Sequence, residues 1–176
     1  NILVPYVGIT GLVERNSFKR MSDVNLFLAG NSNFENSRSD DFLKCKYFGG
    51  IRGTLSSAVS FNIGANYQHL NNMAFFVNDN ATPIQNKFVL EYDDVKWSNV
   101  KGELSYQKNE KLKLLFRADY HKYALTKLMY PWHKPTWEFT FSGQYNLRDK
   151  IVVKSDLFYQ NGRKGLNYYQ NSDPLV

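Results

Sequence analysis

The chain has 176 residues, a net charge of +6, 43% hydrophobic residues and 16% aromatic ones. That is long enough for one domain with a sizeable core, but no run approaches the ~18 apolar residues of a membrane-crossing helix. One cysteine, Cys45, excludes an internal disulfide and a cysteine-based zinc site, and the cations are scattered without any nucleic-acid fingerprint, so no nucleic-acid partner is expected.

The first strand predicted is Val4 to Val13. The excursion over residues 15–45 that follows is rich in Asn, Ser, Asp and charge, too long for a plain connection. Tyr47 to Leu55 reads as a second strand, and Ser56-Ser57 as a tight turn. Ala58 to Gln68 alternates cleanly: Val59, Phe61, Ile63, Ala65 and Tyr67 on one face, Ser60, Asn62, Gly64, Asn66 and Gln68 on the other. A period of two marks a strand with one apolar and one polar face.

Residues 70–86 form a second long excursion, in which Met73 to Val77 is an apolar patch suited to a loop strand or a plug against a rim. Lys87 to Gln107 is one long extended run. Its apolar phase slips between Trp97 and Val100, as at a β-bulge or where a strand leaves a bilayer. After a turn at 108–110, Leu112 to Tyr123 puts Leu112, Leu114, Phe116, Ala118 and Tyr120 opposite Lys113, Arg117, Asp119 and His121, interrupted only by Leu115. A third loop covers 124–135. Thr136 to Asn146 alternates again, a turn covers 147–149, and Lys150 to Gln160 is the last strand before a loop at 161–176.

These runs hold roughly 10–12 residues, near the ~9–11 that a tilted strand needs to cross a bilayer. Connections alternate long and short, so the short turns gather at one end and the long loops at the other. Outer-membrane barrels have that asymmetry. The fold class expected is therefore all-β: an antiparallel up-and-down transmembrane barrel, with about seven or eight long strands visible in a single barrel domain or barrel segment. Bacterial single-chain barrels hold an even number of strands. Seven is odd, so either a further strand lies outside this sequence or the 73–77 patch supplies it.

On this reading Phe61, Ile63, Leu114, Phe116, Phe139, Phe141, Val153 and Leu157 face lipid. Lys113, Arg117, Asp119, His121, Glu138, Gln144, Lys154 and Asp156 line the interior. Tyr106 and Tyr145 near the short turns, and Tyr120, Trp137 and Tyr159 near the long loops, suit two interfacial girdles. Lys127, Lys134, Arg163 and Lys164 lie at the long-loop rim, where lipopolysaccharide phosphates are possible partners.

The runs Val4-Pro5-Tyr6-Val7-Gly8, Phe48-Gly49-Gly50-Ile51-Arg52-Gly53, Gly102-Glu103-Leu104-Ser105-Tyr106 and Tyr145-Asn146-Leu147-Arg148-Asp149-Lys150 resemble the barrels of Bacteroidetes-type outer-membrane proteins, TonB-dependent receptor-like or porin-like. The resemblance implies a Gram-negative outer membrane, lipid and lipopolysaccharide as partners, and contact with other outer-membrane proteins or a surface lipoprotein.

Nothing points to catalysis. No G-x-S-x-G, Walker A or G-x-G-x-x-G motif is present. His69, His121 and His133 lack ligand spacing, and Asp40-Asp41 and Asp93-Asp94 lack the spacing of a calcium loop. No enzyme activity, cofactor or metal is expected. The function expected is permeation or transport of a polar solute, or a structural part in an outer-membrane assembly. The alternative is a soluble or secreted carbohydrate-binding module that stacks sugars on Tyr130, Trp132, Tyr168 and Tyr169.

Overall fold

The computed structural model describes residues 3–15, 18–28, 40–79, 87–109, 111–147 and 150–165. Among the described residues there are seven strands, β1 (Leu3–Arg15), β2 (Asp40–Thr54), β3 (Val59–Asn78), β4 (Phe88–Lys108), β5 (Leu112–Leu125), β6 (Trp137–Leu147) and β7 (Ile151–Asn161), and one short helix, α1 (Phe18–Val24), between β1 and β2. They form one sheet in the order β1-β2-β3-β4-β5-β6-β7. Every neighbouring pair is antiparallel. This is the up-and-down meander expected from the alternation and the sorted loop lengths.

Register fixes the two faces, because cross-strand partners share one. One row runs Gly53, Phe61, Leu104, Phe116, Phe141 and Leu157, and the next runs Ile51, Ile63, Gly102, Ala118, Phe139 and Tyr159. Between Tyr145 and Trp137 and their counterparts, this face carries Gly, Ala, Ser, aliphatic and aromatic residues and no charge. The opposite rows run Arg52, Asn62, Glu103, Arg117, Thr140, Phe158 and Gly50, Gly64, Lys101, Asp119, Glu138, Gln160.

At the middle of the sheet burial is inverted relative to a water-soluble protein, while β7 is exposed on both faces. On the apolar face Ile63 is 57% exposed and Leu157 is 63% exposed, while on the polar face Asn99 is 5% exposed and Asp119 is 6% exposed. Among the described residues no second layer covers the apolar rows. A contiguous apolar face of this size is not left to water in a soluble monomer. Tyr6 on the polar face shows how tightly this wall is built: its hydroxyl donates to Asn62 Oδ1 at 2.9 Å, and a Cβ at Gly50 or Gly64 would come within 2.5 Å of that oxygen.

A dry protein core does exist, but at the long-loop end. Met21, Phe75, Val77, Leu90, Val95 and Trp132 are its buried apolar members. They come from α1, from the far halves of β3 and β4, and from the loop after β5. This corrects several sequence expectations. The described part of the 70–86 excursion is strand as far as Asn78: Met73 to Val77 belongs to β3 and pairs with Val89 to Asp93, so it is neither a separate strand nor a plug, and residues 80–86 lie outside the described residues. The 15–45 excursion contains α1 and the start of β2 at Asp40. The slip in β4 is not a bulge, since its pairing with β5 is unbroken from Val95 to Lys108. Val95 and Trp97 lie on the polar-face side because there the strand has left the apolar band and packs on protein. The register shift sits instead in β3, between Leu70 and Met73, where Asn72 takes a φ of 55°.

Candidate functional site

The polar wall is the candidate site, and its members are placed by strand alternation. A hydrogen-bonded chain crosses five strands. In β3, Gln68 Nε2 donates to Asn66 Oδ1 at 2.8 Å, and Asn66 Nδ2 donates to Asn99 Oδ1 in β4 at 2.8 Å. Asn99 Nδ2 in turn reaches Asp119 Oδ1 at 3.4 Å, the Tyr120 carbonyl at 3.2 Å and His121 Nδ1 at 3.2 Å in β5. His121 Nε2 lies 3.3 Å from Glu138 Oε2 in β6, and Gln160 Nε2 in β7 donates to Glu138 Oε1 at 2.6 Å. Arg117 closes on Asp119 at 2.6 Å.

The tautomer of His121 follows from its neighbours. The Trp97 indole donates to Nδ1 at 3.2 Å, and an indole N–H can only donate. Nδ1 is therefore an unprotonated acceptor, and the ring carries its proton on Nε2, which donates to Glu138. Trp97 lies 5.7 Å from Tyr123 and 5.6 Å from His121, ring centre to ring centre, so an aromatic strip backs the polar chain at the long-loop end. Near the short turns the wall is open: Lys113, Gln144 and Lys154 stand in one cross-strand row, with Asp156 beside a depression of about 280 Å³.

The register puts all eight residues expected to line the interior (Lys113, Arg117, Asp119, His121, Glu138, Gln144, Lys154, Asp156) on the polar face. It puts all eight expected to face lipid (Phe61, Ile63, Leu114, Phe116, Phe139, Phe141, Val153, Leu157) on the apolar one. Of the interior set, the structure joins Arg117, Asp119, His121 and Glu138 into one network. The bridging amides Asn66, Gln68, Asn99 and Gln160, and the Trp97 indole, were not among the sequence candidates. The signal for them was present in the polar phase of each strand, but the partners appear only once register is known. On the apolar face, Tyr120 and Trp137 lie 4.7 Å apart, and Trp137 stacks on Phe139 at 5.8 Å.

The rim is less free than the sequence implied. Lys164 Nζ sits 3.8 Å over the Tyr130 ring. Arg163 donates to the His133 carbonyl at 3.1 Å and to Gln160 Oε1 at 2.9 Å, which ties the loop to the end of the polar chain. Lys134 also has a partner, and the Lys127 side chain is exposed. Trp132 is buried, so it is not available to stack a sugar, and Tyr168 and Tyr169 lie outside the described residues. His133 lies edge-on to Phe88, and burial followed by the Arg163 charge holds its imidazole below the usual range. Gly162, at φ 74°, lets the chain turn against Thr136. The Asp93 carboxylate is occupied by backbone N–H groups of the loop after β5, and among the described residues no cluster of three His, Cys, Asp or Glu is placed to hold a metal.

No protein-family model matches this sequence, and no curated protein sequence matches it. Among solved structures the chain is similar to the pyoverdine outer membrane receptor FpvA of Pseudomonas aeruginosa, solved bound to pyoverdine. The TM-score is 0.60 at 14% identity, and the match covers 98% of this chain and 25% of that one. The chain thus spans about a quarter of that receptor's length. At this identity the likeness is one of fold alone: seven antiparallel up-and-down strands of a β-barrel wall.

Proposed function

We propose that this chain is part of an outer-membrane barrel through which a polar solute crosses, in the manner of a TonB-dependent receptor or a porin, and that it acts without catalysis. The observation that carries the reading is the inverted burial at the middle of the sheet: a charge-free apolar face open to the surroundings, backed by a hydrogen-bonded polar wall that is shielded at Gln68, Asn99, Asp119 and His121. A lipid bilayer outside and water inside is the environment that satisfies both faces. Lipid is then the partner of the Phe61–Leu157 row, and Lys127 is the rim cation best exposed to lipopolysaccharide phosphate.

The test uses the protein as its host makes it, in outer-membrane vesicles, with Cys45→Ser as background. Ser142→Cys, on the polar face, is expected to react with a small water-soluble maleimide, and Phe141→Cys, its neighbour on the apolar face, is not. An unreactive Ser142→Cys would remove the wet passage. Recovery of the protein in the soluble fraction would remove the membrane reading altogether.

A further inference from the structure

The connection between β5 and β6, residues 126–136, is fastened differently at its two ends. At the far end the ties are spread over several groups. His121 N donates to the Thr136 carbonyl at 2.8 Å, Thr136 N to the Asn161 carbonyl at 2.9 Å, and His133 N to the Lys164 carbonyl at 2.9 Å. The Arg163 guanidinium adds its bond to the His133 carbonyl. At the near end three successive amides converge on one oxygen. Asp93 Oδ2 accepts from Thr126 N at 3.1 Å, Lys127 N at 2.8 Å and Leu128 N at 2.8 Å. Its other oxygen accepts from Asp94 N at 2.7 Å, and the side chain is 1% exposed. Consecutive N–H groups curled round an anion form a nest, here filled by a carboxylate of the neighbouring strand.

We infer that Asp93 is the latch of a strap made by residues 126–133, and that losing its carboxylate opens the strap at its first turn while the far end stays pinned. The physical reason is the concentration of the fastening. Each far-end bond can be lost singly, whereas one change at Asp93 strips three amides at once. Only the Thr126 hydroxyl, which donates to the Asp94 carbonyl at 2.9 Å, remains as a further described tie at the near end. Met129, just past the latch, is 78% exposed, so little apolar burial holds this part down. The strap stands at the end of the sheet where His121, Glu138 and Gln160 lie, and its far tie, Arg163, is bonded to Gln160.

The variant is Asp93→Asn, which keeps the shape but turns an N–H donor toward either the Asp94 amide or the three strap amides. In the full-length protein in detergent, hydrogen exchange of the Thr126–Leu128 segment is expected to rise at least tenfold, with Phe139 to Phe141 unchanged. Trypsin is expected to cut after Lys127 in the variant and not in the parent. Thr126→Val, which keeps all three amides, is expected to leave the strap closed. Equal exchange and cleavage in parent and Asp93→Asn would overturn the latch. So would a strap opened by Thr126→Val, or protection lost throughout β4 to β6, or a variant that does not fold, since each assigns Asp93 another role.

Discussion

A positive charge placed midway along the apolar face distinguishes lipid from water directly. Phe141 lies in β6 (Trp137–Leu147), four residues from Trp137 and four from Tyr145. At ~3.4 Å per residue those girdle residues are about 27 Å apart along the strand. With a ~40° tilt that is about 20 Å along the membrane normal, close to the ~25 Å apolar band of such barrels. Phe141 is thus near the midplane, opposite Phe116 and Leu157. Phe141→Lys is expected to cost about 2–4 kcal/mol, the measured range for a cation at that depth, or roughly 30- to 700-fold in the folded ratio at ~1.4 kcal/mol per tenfold. Phe141 is 41% exposed, so in a water-soluble sheet the same change would stay within about 0.5 kcal/mol. Ser142→Lys, one residue along and facing Asp156 across β7, is the control and is expected to cost under ~1 kcal/mol. The assay is reversible urea unfolding in lipid vesicles. A silent Phe141→Lys, or equal losses in both variants, would refute the reasoning.

Three further outcomes are expected. Asn99→Leu strands Asn66, Asp119 and His121 in a shielded network and costs about 1–3 kcal/mol, read from the same urea midpoint; no shift would mean that the network adds nothing to stability. For His133, the folded-state imidazole is held below its unfolded value of ~6.5. The unfolded chain then takes up the proton first as the pH falls. The His133 contribution is therefore present above about pH 6.5 and lost as the pH drops through the folded value. His133→Asn, which tolerates the φ of 59°, should shrink the stability difference between about pH 8 and about pH 5; an unchanged difference counts against it. Gly162→Ala combines positive φ with a Cβ 2.6 Å from Thr136 Oγ1 and should cost about 1–3 kcal/mol, with faster amide exchange at His133.

The central strands were legible because their two faces meet uniform surroundings. From Val59 to Gln68, from Leu112 to His121 and through β6, the alternation persists because one side stays apolar and the other polar, broken only at Leu115; β7 keeps its apolar phase but adds Val152 and Phe158 on the polar side. Legibility ended where that rule ends. Past Leu70 and before Val95, both sides of the β3–β4 hairpin carry buried residues, so Phe75, Val77 and Val95 no longer keep the phase; the β3 arm therefore read as a loop, while the β4 arm still read as one extended run with a slipped phase. Within the site, ionisable residues such as Asp119 and Glu138 stood out by type. Asn99 and Gln160 did not, because an amide gains its role from the residue across the strand pair, which depends on register. Asp93 was visible only as half of an acidic pair; its three amide partners follow it by more than thirty positions.

The most direct measurement of which face meets lipid uses the chain's three tryptophans. Trp137 lies on the apolar face, Trp97 donates into the polar wall, and Trp132 is buried in the loop core. Variants that keep one tryptophan each, the others changed to Phe, are folded into bilayers containing brominated lipid. Strong quenching of Trp137, with Trp97 and Trp132 nearly unquenched, is the predicted result. Trp97 quenched as strongly as Trp137, or Trp137 untouched by the brominated chains, would contradict the assignment of the two faces.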